Sequence, residues 1–325
     1  MNHSKNIFDA FNSVKVLVIG DVMIDRYLIG NVTRISPEAP VPIIDSLEEE
    51  ERLGGAANVA LNISALGAKP ILCSVIGHDK SGVRYLEIMQ ENGLETAGII
   101  QSRRRITTSK TRVIAGGQHL LRVDREHKND LEEIDETVFL ESVIKILDTQ
   151  KIDVILFQDY NKGVLTKKVI KEVISKSHGL QIPTVVDPKF KNFWNYNGVT
   201  LIKPNLKEIR DALNQEVLVT LDSLDKACQK LMERLENRIS LITLSEYGIY
   251  FNEGKDGKIL PTKSRDIADV CGAGDTVIST TALGIAIGLG VAEIAKLANL
   301  AGGQVCEKVG VVQVDKKRLF EEFGN

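Results

Sequence analysis

In the stretch DVCGAGDTV, Asp269 to Val277, two glycines and an aspartate stand at the mouth of a long apolar run. Gly272 and Gly274 allow the backbone to turn successive N–H groups toward one point, and a helix N-terminus adds about half a positive charge there. An anion fits that spot. The carboxylate of Asp275 would compete with a bound phosphate unless it faces a second reactant that gives up a proton. Phosphoryl transfer to an alcohol has this requirement, because an acid takes the hydroxyl proton while amides hold the developing charge. Aspartate is also a favoured helix cap, so residue type alone leaves both readings open. The chain contains no G-x-x-x-x-G-K followed by Ser or Thr, so it is not a P-loop protein.

Other polar residues follow apolar runs in the same way: Asp21 and Asp25 after VKVLVIG, Asp159 after VILFQ, Asp187 after PTVV, and Asn205 with Glu208 after TLIKP. Open parallel sheets bind ligands beyond the carboxyl ends of their strands, which gathers these groups at one edge. Carboxylates and amides there suit a hydroxyl-rich ligand and a hydrated magnesium ion. Asn205 and Glu208 also read as an ordinary helix cap with an acid in the first turn. Cys73, Cys228, Cys271 and Cys306 are scattered without metal-ligand spacing, so reduced thiols are expected and no zinc site.

The elements that must hold these groups alternate. Strand patterns such as VKVLVIGD, PILCSVIG, IDVILFQD and PTVVDP are separated by helical patterns such as AANVALNISALG and TKKVIKEVISKSHG, which predicts a parallel sheet with crossover helices. Two segments break the rhythm. VPIIDSLEEEERLGG alternates apolar and charged residues, and TSKTRVIAGGQHLLRVD reads as a hairpin turning at Gly116 and Gly117. Residues 26–54 and 106–124 therefore form a small antiparallel β lid inserted in a single α/β domain over 1–325. A net charge of −3 argues against nucleic-acid binding. The N-terminal stretch lacks the apolar core of a signal peptide, and no segment reaches the roughly 18 apolar residues of a membrane span. A soluble cytoplasmic protein is expected.

With these motifs in place, the whole chain resembles the ribokinase (PfkB) sugar kinases. It carries GGAANVALNISALG near the first lid segment and DVCGAGDTV near the end, with Cys271 where threonine is usual. The resemblance implies a ribokinase-like α/β fold, an anion hole from Gly272, Ala273 and Gly274, and Asp275 as catalytic base. It also implies sugar contacts from Asp25 and from Gly54, Gly55 and Asn58. ATP would be held by Lys189, Thr243, Ser245, Gly248 and Asn299, while Asn205 and Glu208 in NLKE would position Mg2+ through its waters.

One subgroup fits more closely, the D-glycero-D-manno-heptose 7-phosphate kinases of lipopolysaccharide precursor synthesis. GDVMIDRYLIGNVTRISPEAPVPI, TSKTRVIAGGQHLLRVD, DYNKG and TLSEYG all resemble that subgroup. Some of its members carry a nucleotidyltransferase domain, for which a chain of this length has no room. The resemblance implies a sugar-phosphate substrate, with Asp159, Lys110, Arg112, Arg122 and Lys162 near it. Lys110 and Arg112 are two apart and share one face of a strand, which suits a phosphate clamp. A solvated hairpin face is the plainer reading of the same charges. The family also implies a homodimer through exposed lid strands. Other substrates for such a kinase would be a fructose phosphate or a neutral sugar, and a sensor without activity could share the fold.

Overall fold

The structure is a computed structural model that describes residues 2–324. Its main sheet takes β1 (Lys15–Gly20), β4 (Lys69–Gly77), β5 (Ile99–Ser102), β8 (Val154–Gln158), β9 (Thr184–Asp187), β10 (Leu201–Ile202), β11 (Ile239–Thr243), β12 (Ile249–Asn252) and β13 (Lys258–Leu260). The strand order is β13-β12-β11-β10-β9-β8-β1-β4-β5, parallel except that β12 pairs antiparallel with both β11 and β13. Both faces are buried, so these strands read as continuous apolar runs. Along β1, Val16 and Val18 enter one core layer while Leu17 and Ile19 enter the other. Helices Ala56–Ala65, Ala273–Ala286 and Val291–Cys306 cover the first layer; Glu133–Thr149, Lys167–Leu180 and Leu221–Leu235 cover the second.

The remaining strands, β2 (Val22–Ile35), β3 (Pro42–Gly55), β6 (Ser109–Ala115) and β7 (Gln118–Arg125), form the lid in the order β3-β2-β6-β7. Each hairpin is antiparallel, and the second turns at Gly116 (φ 56°) and Gly117 (φ 75°) as the glycine pair predicts. The joint corrects the expectation of a purely antiparallel lid, because β2 and β6 run parallel. The cause is the main sheet. β1 and β5 lie in one parallel sheet, and each chain excursion leaves its carboxyl edge outward, so the first strands of both hairpins point the same way. The lid strands span 22–55 and 109–125, against the expected 26–54 and 106–124.

Two helices were not expected, Asn2–Ala10 and Lys316–Gly324, while the Leu206–Leu213 helix follows the cap reading of Asn205. The two unexpected helices pack together, with Phe8 stacked edge-on against Phe320 at 5.5 Å. Among the described residues no helix is long and apolar enough to cross a membrane.

Candidate active site

The Ala273–Ala286 helix opens at Gly272, whose φ of 78° places it in the left-handed region and whose missing side chain makes no cap bond. Asp275 lies in the first turn and is buried, yet it caps nothing. Its carboxylate accepts hydrogen bonds from Asn58 Nδ2 at 2.7 Å, Tyr160 OH at 2.6 Å and Gln158 Nε2 at 3.2 Å. Burial pushes its pKa up to about 6, and Asp187 adds to the rise. The bonds from Asn58 and Tyr160, and the charge of Lys203, pull the other way. The result is a carboxylate that is ionised at neutral pH and basic enough to take a proton. Sequence alone allowed a cap or a base; the geometry removes the cap.

Beside this turn lie charged groups. A Cβ on Gly274 would stand 3.8 Å from Asp187 Oδ2 and 3.9 Å from Lys203 Nζ, so the backbone passes close to a buried ion pair. Lys203 and Asp187 are 3.2 Å apart, and Lys189 bonds Glu208 and lies 3.8 Å from Asp187. Burial by itself would lower the Lys189 pKa, but Asp187, Glu208 and Asp275 together raise it, so the ammonium stays charged. Asn205 and Glu208 form a reciprocal capping box on the Leu206–Leu213 helix: Asn205 Oδ1 accepts the Glu208 N–H at 2.8 Å, and Glu208 Oε2 accepts the Asn205 N–H at 2.9 Å. No three His, Cys, Asp or Glu side chains gather as a metal cluster among the described residues. Mg2+ asks for less, one or two carboxylates with the rest water and phosphate. Asp187 fits that demand, since its buried Oδ1 has no hydrogen-bond partner.

Where the resemblance implies sugar contacts, the buried Asp25 bonds Arg112 Nη1 at 2.5 Å. Strand register sets this up, with Asp25 opposite Arg52 on β3 and opposite Lys110 on β6. Gly54 is required there, because a Cβ would sit 2.2 Å from Asp25 Oδ2. Gly55 (φ 65°) turns the chain from β3 into the Ala56–Ala65 helix that carries Asn58. Lys110 and Arg112 do share a face: Lys110 Nζ lies 5.9 Å from the centre of the Tyr160 ring, and Arg112 lies 5.2 Å from that of Tyr27. Burial lowers the Lys110 pKa, partly offset by Asp25.

The other three residues expected near the sugar have partners of their own, although Arg122 stands opposite Arg112 across β6 and β7 and the charge of Lys162 is felt at Lys110. Arg122 is exposed and pairs with Asp124 at 2.9 Å. Lys162 is tied to Glu126 at 2.6 Å. Asp159 is completely buried and is filled by Tyr196 OH at 2.9 Å, Asn192 Nδ2 at 3.2 Å and the Asn161 N–H at 2.7 Å. That bonding serves the loop.

Beyond Gly272 to Asp275 opens a cavity of about 720 Å³. Lys189, Asn205, Thr243, Ser245, Gly248 and Asn299 all line it. Gly248 has φ 97°, and a Cβ there would meet the Leu260 carbonyl at 2.1 Å; Asn299 Nδ2 donates to the Pro261 carbonyl at 2.9 Å. These residues are far apart in the chain, and the ends of β9, β10 and β11 bring them together with the last two core helices.

Residues 13–317 match the pfkB family carbohydrate kinase domain. The chain belongs to the pfkB family of carbohydrate kinases. It is therefore a sugar kinase, and the family implies ATP as its phosphoryl donor. This pfkB kinase is 39% identical over 328 residues to the bifunctional protein HldE of Geotalea uraniireducens, covering 99% of this chain and 65% of the relative. It is 40% identical over 323 residues to the protein of the same name from Syntrophotalea carbinolica, again over 99% of this chain and 65% of the relative. The chain thus spans just under two thirds of the length of these relatives. Among solved structures, phosphofructokinase-2 from Escherichia coli in complex with fructose-6-phosphate superposes with a TM-score of 0.78 at 17% identity, over 96% of this chain and 99% of that one. Ribokinase from Arabidopsis thaliana complexed with ribose and ATP gives 0.73 at 15% identity, over 96% and 99%. At such identities the likeness establishes the fold.

Three side chains of the pfkB kinase site carried no role in the sequence reading: Gln158, Tyr160 and Lys203. Gln158 ends β8 and Lys203 follows β10, so the strand-end rule that found Asp187 reaches both. Tyr160 sits inside DYNKG, and nothing in its residue type points to a carboxylate 115 positions away.

Proposed function

We propose that this kinase transfers the γ-phosphoryl group of ATP to the anomeric hydroxyl of D-glycero-D-manno-heptose 7-phosphate, giving the 1,7-bisphosphate and ADP. One observation carries the reading: two lid cations, Lys110 and Arg112, converge on the buried Asp25 at the sugar end, where a neutral sugar would require no positive charge. Identity near 40% to proteins named HldE over nearly the whole chain supports it.

In this reading Asp25 accepts hydrogen bonds from sugar hydroxyls, and Arg112 turns from Asp25 toward the 7-phosphate as the lid closes and excludes water. Asp275 takes the proton of the anomeric hydroxyl. The hydroxyl oxygen forms its bond to the γ-phosphorus as the bond to the bridging oxygen of ADP breaks, and the backbone N–H groups at Gly272, Ala273 and Gly274 hold the charge on the transferring group. Lys189 and Lys203 balance the remaining phosphate charge. Magnesium, bound through Asp187 and through water on Asn205 and Glu208, would neutralise the nucleotide phosphates. The exposed outer strand β7, with Leu120, Leu121 and Val123 open to solvent, suits pairing with a second copy and supports a homodimer through the lid.

A substrate panel tests the assignment. Purified protein with ATP and magnesium should phosphorylate heptose 7-phosphate faster, by a wide margin, than fructose phosphates, ribose or fructose. Preference for another sugar removes the heptose reading and leaves a different pfkB activity. No turnover with any of them favours a sensor.

A further inference from the structure

We propose that Tyr160 is a positioning residue for the transfer: its hydroxyl fixes the Asp275 carboxylate for proton uptake, and its ring joins the sugar and nucleotide halves of the site. The proposal rests on the reading of Asp275 as the base.

The loop that carries Tyr160 is held rigidly from below. The buried carboxylate of Asp21 accepts the backbone N–H groups of Tyr160 at 2.9 Å, Lys162 at 3.0 Å and Val164 at 3.0 Å. This anchoring fixes where the ring emerges. From there the hydroxyl donates to Asp275 Oδ1 at 2.6 Å, shorter than the 3.2 Å bond that Gln158 makes to the same oxygen. Burial and the neighbouring Asp275 charge push the phenol's pKa well above its ordinary value, so it keeps its proton and remains a donor. The ring also has cations within the reach of a cation–π contact, Lys110 Nζ from the lid at 5.9 Å and Lys189 Nζ from the nucleotide side at 5.8 Å.

A tyrosine present only to fill space would have no use for this hydroxyl, since phenylalanine has nearly the same shape. A donor on the base has two chemical consequences. It sets which lone pairs face the incoming hydroxyl, and it favours the ionised carboxylate. The other groups facing Asp275 are Asn58 and Gln158 as donors, Lys203 and Lys189 as cations, and Asp187 as an anion. All of them survive the loss of one phenolic oxygen. Removing it should therefore let Asp275 hold its proton to higher pH.

The test is the pH dependence of kcat/KM for Tyr160→Phe, with ATP, magnesium and heptose 7-phosphate, or fructose 6-phosphate if the panel selects that sugar. In the unmodified protein the rate should fall as pH drops through about 6, where the base protonates. In Tyr160→Phe this acidic limb should lie about one pH unit higher, with thermal stability and the KM for ATP unchanged. A limb that stays in place, whether or not kcat falls, overturns the role of the hydroxyl. Tyr160→Ala tests the ring: KM for both sugar and ATP should rise, whereas values equal to those of Tyr160→Phe overturn the bridge. Asp275→Asn separates the two levels. Near-normal turnover there removes the base itself, while a collapsed rate there with an unmoved limb in Tyr160→Phe removes only the role of Tyr160.

Discussion

Asp275 shows how much one side chain's surroundings change its chemistry. An aspartate at the start of a helix is ordinarily a cap, worth about 1 kcal/mol. Here Gly272 occupies the capping position and the carboxylate is bonded by Asn58, Gln158 and Tyr160. Asp275→Asn keeps the shape and abolishes the basicity, so turnover should fall roughly 10²- to 10⁴-fold. The midpoint of thermal unfolding should hardly move, because asparagine removes a buried charge that burial disfavours. Turnover close to normal in that variant would leave the buried carboxylate without a catalytic role.

The Leu206–Leu213 helix and the lid carry the next scale. Asn205 holds the first turn of that helix through its capping box while its side chain lines the cavity, so one residue has two separable duties. Asn205→Ala should cost about 1 kcal/mol in urea unfolding and also weaken catalysis, with part of the rate recovered at higher magnesium. Asn205→Asp keeps a competent cap, so its stability should stay near that of the parent. If magnesium response is the same in both variants and the parent, the helix start is purely structural.

The lid's β6 presents Lys110 and Arg112 to the same neighbour, Asp25. Arg112→Ala removes one charge-assisted contact, about 1.5 to 3 kcal/mol, so kcat/KM for the phosphorylated sugar should drop about tenfold to a hundredfold. Lys110→Ala should behave alike but more mildly, since an ammonium is a point charge rather than a planar fork. The KM for ATP should not change. Equal losses on phosphorylated and unphosphorylated heptose would mean the strand acts only as a cover.

At the scale of the whole molecule, the lid leaves β7 as an outer edge with all its residues exposed, Leu121 at 58% and Val123 at 51%. An uncovered strand of this kind invites pairing with another chain. Leu121→Glu combined with Val123→Lys should convert the proposed homodimer to a monomer in sedimentation velocity, without lowering the melting point of the main domain. A parent protein that already sediments as a monomer would remove the lid-mediated dimer.

The sequence by itself determined the α/β class and the glycine turn at the mouth of the cavity, while the family resemblance added Lys189, Thr243, Ser245, Gly248 and Asn299, which line it. Those signals are local: apolar runs buried on both faces read directly as strands, and Gly272 and Gly274 declare the turn they make. Asn58 entered by family resemblance, and only the fold shows its amide on Asp275, 217 positions away. Pairing between distant segments was decided in three dimensions. The parallel joint of β2 with β6 depends on where β1 and β5 sit in the main sheet, which no window of residues records. Asp159 and Asp275 are both acids at an element's end, and burial pushes both to about 6. They part because Asp159 is enclosed by Tyr196, Asn192 and its own loop, whereas Asp275 lines the cavity. Tyr160 was invisible for the same reason: its function lies in a contact spanning 115 residues, and only packing brings such groups together.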